Sequence, residues 1–310
     1  MGEFQLKPGL NIVPTSEGLM EIQSIISKQE SEEPRKKRPK KRVLIIPGAF
    51  YSAELVKDLQ RELLKSLEQK FENYDIEVHA LSLPGHGKSE LKGRLHWKPF
   101  NANVKVLEEI MEKLGEETIL VGHSIGGMVI QKYLEKHLAP AAILLAPANH
   151  SPHFMIDVAK HFLKYHKRTI LSFLLNFSPK EAMKRPVTVK KIFYSEEIDT
   201  PEYNNFIKNF IEKMSDESIR GLLGAFMGKI NYRKVSQTPI YIFGGEKDVA
   251  VQQRALKWLK KRLGAKLTII FNATHSDLVN DELQGVKPMQ GQVRWVAEHI
   301  AEYLLKSMKF

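Results

Sequence analysis

Chemistry concentrates in one stretch, Val121-Gly122-His123-Ser124-Ile125-Gly126-Gly127. A Gly-x-Ser-x-Gly pattern at the point where an apolar run gives way to a helical one lets the turn tighten until the serine hydroxyl stands clear of a sheet. A serine hydroxyl is a poor nucleophile at neutral pH. It needs a base to take its proton, and the base needs an acid to orient it. Asp248 in FGGEKDVAV and His275 in FNATHSD each follow an apolar run and occur after Ser124, in the order acid then histidine. The candidate catalytic set is therefore Ser124 as nucleophile, His275 as base and Asp248 as acid, and the expected chemistry is acyl transfer. His123 is too close in sequence to bring its ring onto its neighbour's hydroxyl, and His299 falls on the last helical stretch.

These residues need a scaffold that gathers strand ends at one edge. Six short apolar runs, at 43–48, 76–83, 118–124, 141–148, 239–245 and 266–272, have the length of buried parallel strands. Helical periodicity appears between or after them at 55–70, 104–114, 128–137, 255–263 and 293–305. The alternation predicts an α/β fold: a mainly parallel central sheet with helices on both faces, with ligands beyond the carboxyl ends of the strands. The interval 149–237 breaks the rhythm with helix starts at Ser178-Pro179-Lys180-Glu181 and Thr200-Pro201-Glu202 and no strand pair. It reads as a helical cap inserted between core segments 43–148 and 238–310. Within it, Phe154, Val158 and Phe162 form an apolar stripe, with Asp157, Lys160, His161 and Lys164 on the opposite face.

The 310 residues are 43% hydrophobic and 27% charged, a globular balance that excludes a disordered chain. Cysteine is absent, which excludes disulfides, thiolate metal sites and a cysteine nucleophile. No apolar run reaches 18 residues and the first residues lack a signal-peptide pattern, so a soluble, cytoplasmic protein is expected. The net charge of +11 is uneven. Residues 1–33 carry two Lys and six Glu, residues 34–42 carry seven Lys and Arg and no acid, and the cap holds 15 bases against nine acids. Residues 1–33 read as an N-terminal appendage containing an amphipathic helix over Ser16–Glu30, and 34–42 as a basic linker. That Arg35–Arg42 run is the one feature that suggests nuclear import or nucleic-acid contact. Removing residues up to 40 is expected to leave the domain intact.

The GHSIGG turn with a later strand-end Asp and His resembles the α/β-hydrolase superfamily over residues 42–310, and PGHGKS at 84–89 resembles the turn after that family's fourth strand. The resemblance implies a serine hydrolase with a helical cap, similar to lysophospholipases and monoacylglycerol lipases. It also implies an oxyanion hole built from the backbone amides of Ala49, in Pro47-Gly48-Ala49-Phe50, and Ile125, with Phe50 the less favoured donor. Substrate contacts are expected from Phe50, His123, Phe154 and Phe162. The expected substrate is a small-molecule ester with an apolar acyl chain, since 14 of the 24 residues from Phe154 to Phe177 are apolar. A thioesterase and a hydrolase-fold receptor with little turnover are the alternatives. No cofactor and no metal is expected, and the basic cap is expected to allow contact with a membrane surface.

Overall fold

A computed structural model describes residues 4–27, 38–165, 179–194, 197–280 and 291–307. Eight strands form one sheet in the order β1-β2-β4-β3-β5-β6-β7-β8. The strands are β1 (Gly9–Thr15), β2 (Gly18–Ile26), β3 (Lys40–Ile46), β4 (Asp75–Leu81), β5 (Thr118–His123), β6 (Ala142–Leu145), β7 (Ile240–Gly245) and β8 (Lys266–Ile270). From β4 to β8 every pairing is parallel, whereas β1 and β2 run antiparallel. Neighbouring residues of a strand point to opposite faces, yet all six residues of β5 are buried, so both faces are covered. This is why the central strands are continuous apolar runs rather than alternating ones.

Helices α1 (Lys57–Lys70) and α11 (Gln292–Ser307) pack against one another. A second group comprises α2 (Phe100–Leu114), α3 (Ile125–Tyr133), α9 (Tyr232–Val235) and α10 (Gln253–Leu263), with α3 touching both α2 and α9 and α9 touching α10. In α1 the buried Leu59, Leu63 and Leu67 recur every four residues, which lays one stripe along the sheet. Gly264 ends α10 in a left-handed conformation that a glycine adopts without strain.

Between β6 and β7 the described residues contain helices and no strand: α4 (Pro152–Tyr165), α5 (Pro179–Met183), α6 (Pro186–Phe193), α7 (Pro201–Lys213), α8 (Ile219–Met227) and α9. The Thr200-Pro201 start behaves as its chemistry dictates, since the Thr200 hydroxyl accepts the Tyr203 amide at 3.2 Å. Asp157, assigned from periodicity to the outer face of α4, is instead buried and bound to Arg254 of α10. Residues 166–178, which include six of the 14 apolar residues counted from Phe154 to Phe177, lie outside the described residues.

The N-terminal region corrects the sequence reading. The helix expected over Ser16–Glu30 is not formed in its described part, 16–27: β1 and β2 form a hairpin around Ser16 and Glu17, and β2 pairs with β4, so residues 9–26 are part of the sheet and not an appendage. The spacing of Leu19, Ile22 and Ile26 mimics a helix, but Met20 and Ile22 also stand two apart, and these two are wholly buried while Leu19 is exposed. Pairing decides between the periods, because β4 would otherwise present an unpaired edge. The basic run is likewise shorter than a linker. Lys40, Lys41 and Arg42 open β3, and Glu77 on β4 pairs with Lys40 at 3.1 Å and Arg42 at 2.8 Å. Residues 34–37 lie outside the described residues. Ile22→Ala should cost about 2–5 kcal/mol in urea unfolding, and deletion of residues 1–27 should yield insoluble or strongly destabilised protein rather than a tolerated truncation.

Candidate active site

Ser124 sits between β5 and α3 with φ 51° and ψ −118°, a left-handed conformation unusual for a residue with a side chain. Its amide donates to the Leu145 carbonyl at 2.9 Å and its carbonyl accepts the Ala148 amide at 3.0 Å, so the strained turn is held from β6 and the segment after it. Glycine is required beside it. A Cβ at Gly126 would lie 2.1 Å from the Ile46 carbonyl oxygen and 2.4 Å from that of Pro47, and one at Gly122 would lie 2.7 Å from the Gly127 Cα. The serine side chain is partly exposed where its neighbours are buried.

Asp248 and His275 follow β7 and β8 and are brought together. The His275 Nδ1 donates to the Asp248 Oδ2 at 2.8 Å, with the two side chains 1% and 0% exposed. The second carboxylate oxygen accepts the Val251 amide at 2.8 Å. Because a carboxylate only accepts, the imidazole proton resides on Nδ1 and the Nε2 lone pair is the basic position. The turn carrying His275 is braced by Asp277, which accepts both the Thr274 amide at 2.8 Å and its hydroxyl at 2.6 Å.

His123 links the two halves. Its Nε2 donates to the His275 carbonyl at 3.2 Å and the two rings lie 4.6 Å apart. Burial pushes its pKa well below the ordinary histidine value, with His275 adding to the effect, so it is neutral. Expected as a substrate contact, it is fully buried and bonded to main chain, which places it beneath the site as a support for the His275 backbone. Phe154 is buried too, 5.9 Å from Phe226, and packs α4 on α8. The side chain of Phe162 lies outside the described residues.

Phe50 has φ 68°, and its amide donates to Glu217 at 2.9 Å. That amide is therefore engaged, whereas those of Ala49 and Ile125 have no acceptor among the described residues. The sequence reading missed Phe193, the last residue of α6. Its ring lies 5.9 Å from His275, 6.3 Å from Phe50, 5.9 Å from Tyr51 and 6.2 Å from Phe210. No local signal distinguishes this phenylalanine from others in the cap. A separate cleft of about 410 Å³, lined by residues of α2 and α8 with Lys132 and His150, includes none of Ser124, Asp248 and His275. Among the described residues no three His, Asp or Glu side chains are grouped as metal ligands, and no helix is long and apolar enough to cross a membrane.

Residues 37–282 match the family model described as serine aminopeptidase, S33. The chain belongs to that family. Its architecture is the α/β-hydrolase fold, shared with an esterase from Thermogutta terrifontis at 16% identity and TM-score 0.64, covering 97% of this chain and 99% of that one. An esterase from Exiguobacterium antarcticum is similar at 16% identity and TM-score 0.62, covering 97% and 100%. The naproxen esterase of Bacillus subtilis is similar at 14% identity and TM-score 0.60, covering 97% and 93%. No curated protein sequence matches the chain. In this S33 member Gly126→Ala should lose at least about 3 kcal/mol of stability, measured by urea unfolding, because the added carbon meets backbone that cannot step aside.

Proposed function

We propose that the protein is a serine esterase acting on carboxylic esters with an apolar acyl chain, using Ser124, His275 and Asp248. The observation that carries this is the buried hydrogen bond between Asp248 and His275, joined through His123 to the strained turn that carries Ser124. In the proposed reaction the His275 Nε2 takes the hydroxyl proton as the Ser124 Oγ attacks the ester carbonyl, and Asp248 stabilises the imidazolium. The amides of Ala49 and Ile125 hold the oxyanion. His275 then protonates the departing alcohol, and water, deprotonated by the same Nε2, releases the acid from the acyl-enzyme.

The surroundings favour an apolar ester over a peptide. Phe193, Phe50, Tyr51 and Phe210 form an aromatic wall next to His275. Holding the ammonium of a peptide N-terminus calls for a carboxylate, and those around the site are engaged. Asp248 binds His275 and Val251, Asp277 binds Thr274, and Glu217 binds Phe50 and His86. The esterases that share the fold are in keeping with this reading. The basic excess between 149 and 237, together with exposed Met155, Ile156, Leu223 and Met227 on α4 and α8, supports delivery of the ester from an anionic surface.

A fluorophosphonate probe should label Ser124 and no other residue, read by mass spectrometry of the adduct. Ser124→Ala and His275→Ala should each lower kcat by about 10⁵-fold or more and Asp248→Asn by about 10⁴-fold, all with native circular dichroism. Near-normal turnover in His275→Ala would assign the base to another residue. Across p-nitrophenyl esters from two to sixteen carbons, kept below their aggregation limits, kcat/KM should rise by up to about fourfold per methylene, the worth of about 0.8 kcal/mol. An optimum at acetyl would reject an acyl pocket, and faster cleavage of aminoacyl p-nitroanilides or acyl thioesters would change the substrate class without moving the nucleophile. Tight small-molecule binding with negligible turnover would support the receptor alternative.

A further inference from the structure

The loop after β3 is closed as a turn by the Tyr51 amide donating to the Gly48 carbonyl at 3.1 Å. Its third residue, Phe50, has φ 68°, where such turns ordinarily place glycine. Without an external hold the turn would relax by rotating its middle peptide, between Ala49 and Phe50, to the form in which every residue has negative φ. The hold comes from the cap. The Phe50 amide donates to the Glu217 Oε1 at 2.9 Å, and the Phe50 carbonyl accepts the Ser215 amide at 2.9 Å, so both polar groups of this residue are taken by one three-residue segment between α7 and α8. The Ser215 hydroxyl in turn accepts the Gly87 amide at 2.9 Å.

Glu217 is buried, and the second partner of its Oε1 is the Nε2 of His86, at 2.8 Å, the histidine of the PGHGKS segment. The other ring nitrogen of His86 faces the Pro84 carbonyl at 3.3 Å, so both nitrogens meet acceptors. Burial opposes a charge on this ring, but the attraction and hydrogen bond of Glu217 outweigh it and raise its pKa above the ordinary value. The Glu217 carboxylate is thereby held by a buried hydrogen bond from the His86 ring as well as from the Phe50 amide.

We propose that Glu217 is a positioning residue of the oxyanion loop, pinning Phe50 so that the adjacent Ala49 amide is aimed at the reacting carbonyl, and that the hole is complete only while the cap is seated. The proposal rests on the esterase reading above. It assigns the PGHGKS histidine a task, to hold the carboxylate that holds the loop, and it makes the cap part of the catalytic geometry as well as a cover.

The test compares Glu217→Ala, Glu217→Gln and Glu217→Asp with wild type on p-nitrophenyl butyrate, together with inhibition by an alkyl trifluoromethyl ketone, whose serine adduct places an oxyanion in the hole. Glutamine retains an oxygen that accepts from both Phe50 and His86. Aspartate retains the charge but withdraws the oxygen by one methylene. Glu217→Gln should stay within about threefold of wild-type kcat. Glu217→Ala should lose at least 30-fold in kcat with KM within threefold, and the ketone should weaken in parallel. Should Glu217→Ala fail to fold, Glu217→Asp should still lose at least fivefold in kcat with KM and unfolding midpoint close to wild type. Unchanged kcat in the folded Ala or Asp variant overturns the proposal. So does equal loss in Gln and Ala, or a change confined to KM. A wild-type protein that hydrolyses the ester and labels with fluorophosphonate keeps the esterase reading standing in each of those cases. A wild type that does neither removes that reading, and this proposal with it.

Discussion

The closeness of α3 to the end of β3 is the constraint on which the site depends. Gly126 lies so near the Ile46 and Pro47 carbonyls that a single added carbon would come within 2.4 Å of both. Only this approach lets the chain reverse within one residue at Ser124, and the reversal is what separates the hydroxyl from the sheet. The left-handed conformation there is offset by backbone hydrogen bonds to Leu145 and Ala148, so strain at one residue is sustained by the rigid strands around it. The same closeness brings Gly48 within reach of Ser124, where a Cβ would lie 2.9 Å from that of the serine, and so sets the distance between Ser124 and the loop after β3.

Rigidity is supplied unequally. Ser124, Asp248 and His275 follow the ends of the parallel strands β5, β7 and β8, and the hydrogen bonds of Asp248 and His275 are internal to the core. The loop after β3 is different, because its Phe50 is tied to residues 215 and 217 and its ring meets Phe193, all from the cap. Acyl chemistry needs both parts at once. In the proposed reaction the proton relay would be built into the sheet and the charge stabilisation shared with the cap, a point of coupling between substrate entry and turnover.

Edges also shape the molecule. A sheet of this kind leaves the outer side of β4 in need of a partner, and the hairpin of β1 and β2 covers it. Glu77 has a comparable local role: buried on β4, it is neutralised by Lys40 and Arg42 from the start of β3, and hydrogen bonds from His79, Arg42 and Lys40 outweigh the burial that opposes its charge, holding its pKa at about 2. Basic residues that look like a nucleic-acid arm in the linear chain therefore serve in part as strand-to-strand ion pairs.

What the sequence alone determined is what local rules encode. Glycines around Ser124 announce a tight strand-to-helix turn, apolar runs of six to eight residues announce buried parallel strands, and Asp248 and His275 are conspicuous because they follow such runs. Tertiary structure alone decided the rest. Residues 19–26 satisfy a helical and a strand period at once, and only the open edge of β4, distant in sequence, selects the strand. Phe193 and Glu217 matter because folding sets them against His275 and Phe50, and neither has a neighbour in sequence that reveals it. His123 adjoins Ser124 in sequence, which suggests a substrate contact, but its ring is wholly buried between Tyr51 and His275 and its Nε2 is bonded to the His275 carbonyl. Local periodicity records how a segment can bury its apolar side chains, whereas pairing partners and the contents of a site depend on which distant segments arrive beside it.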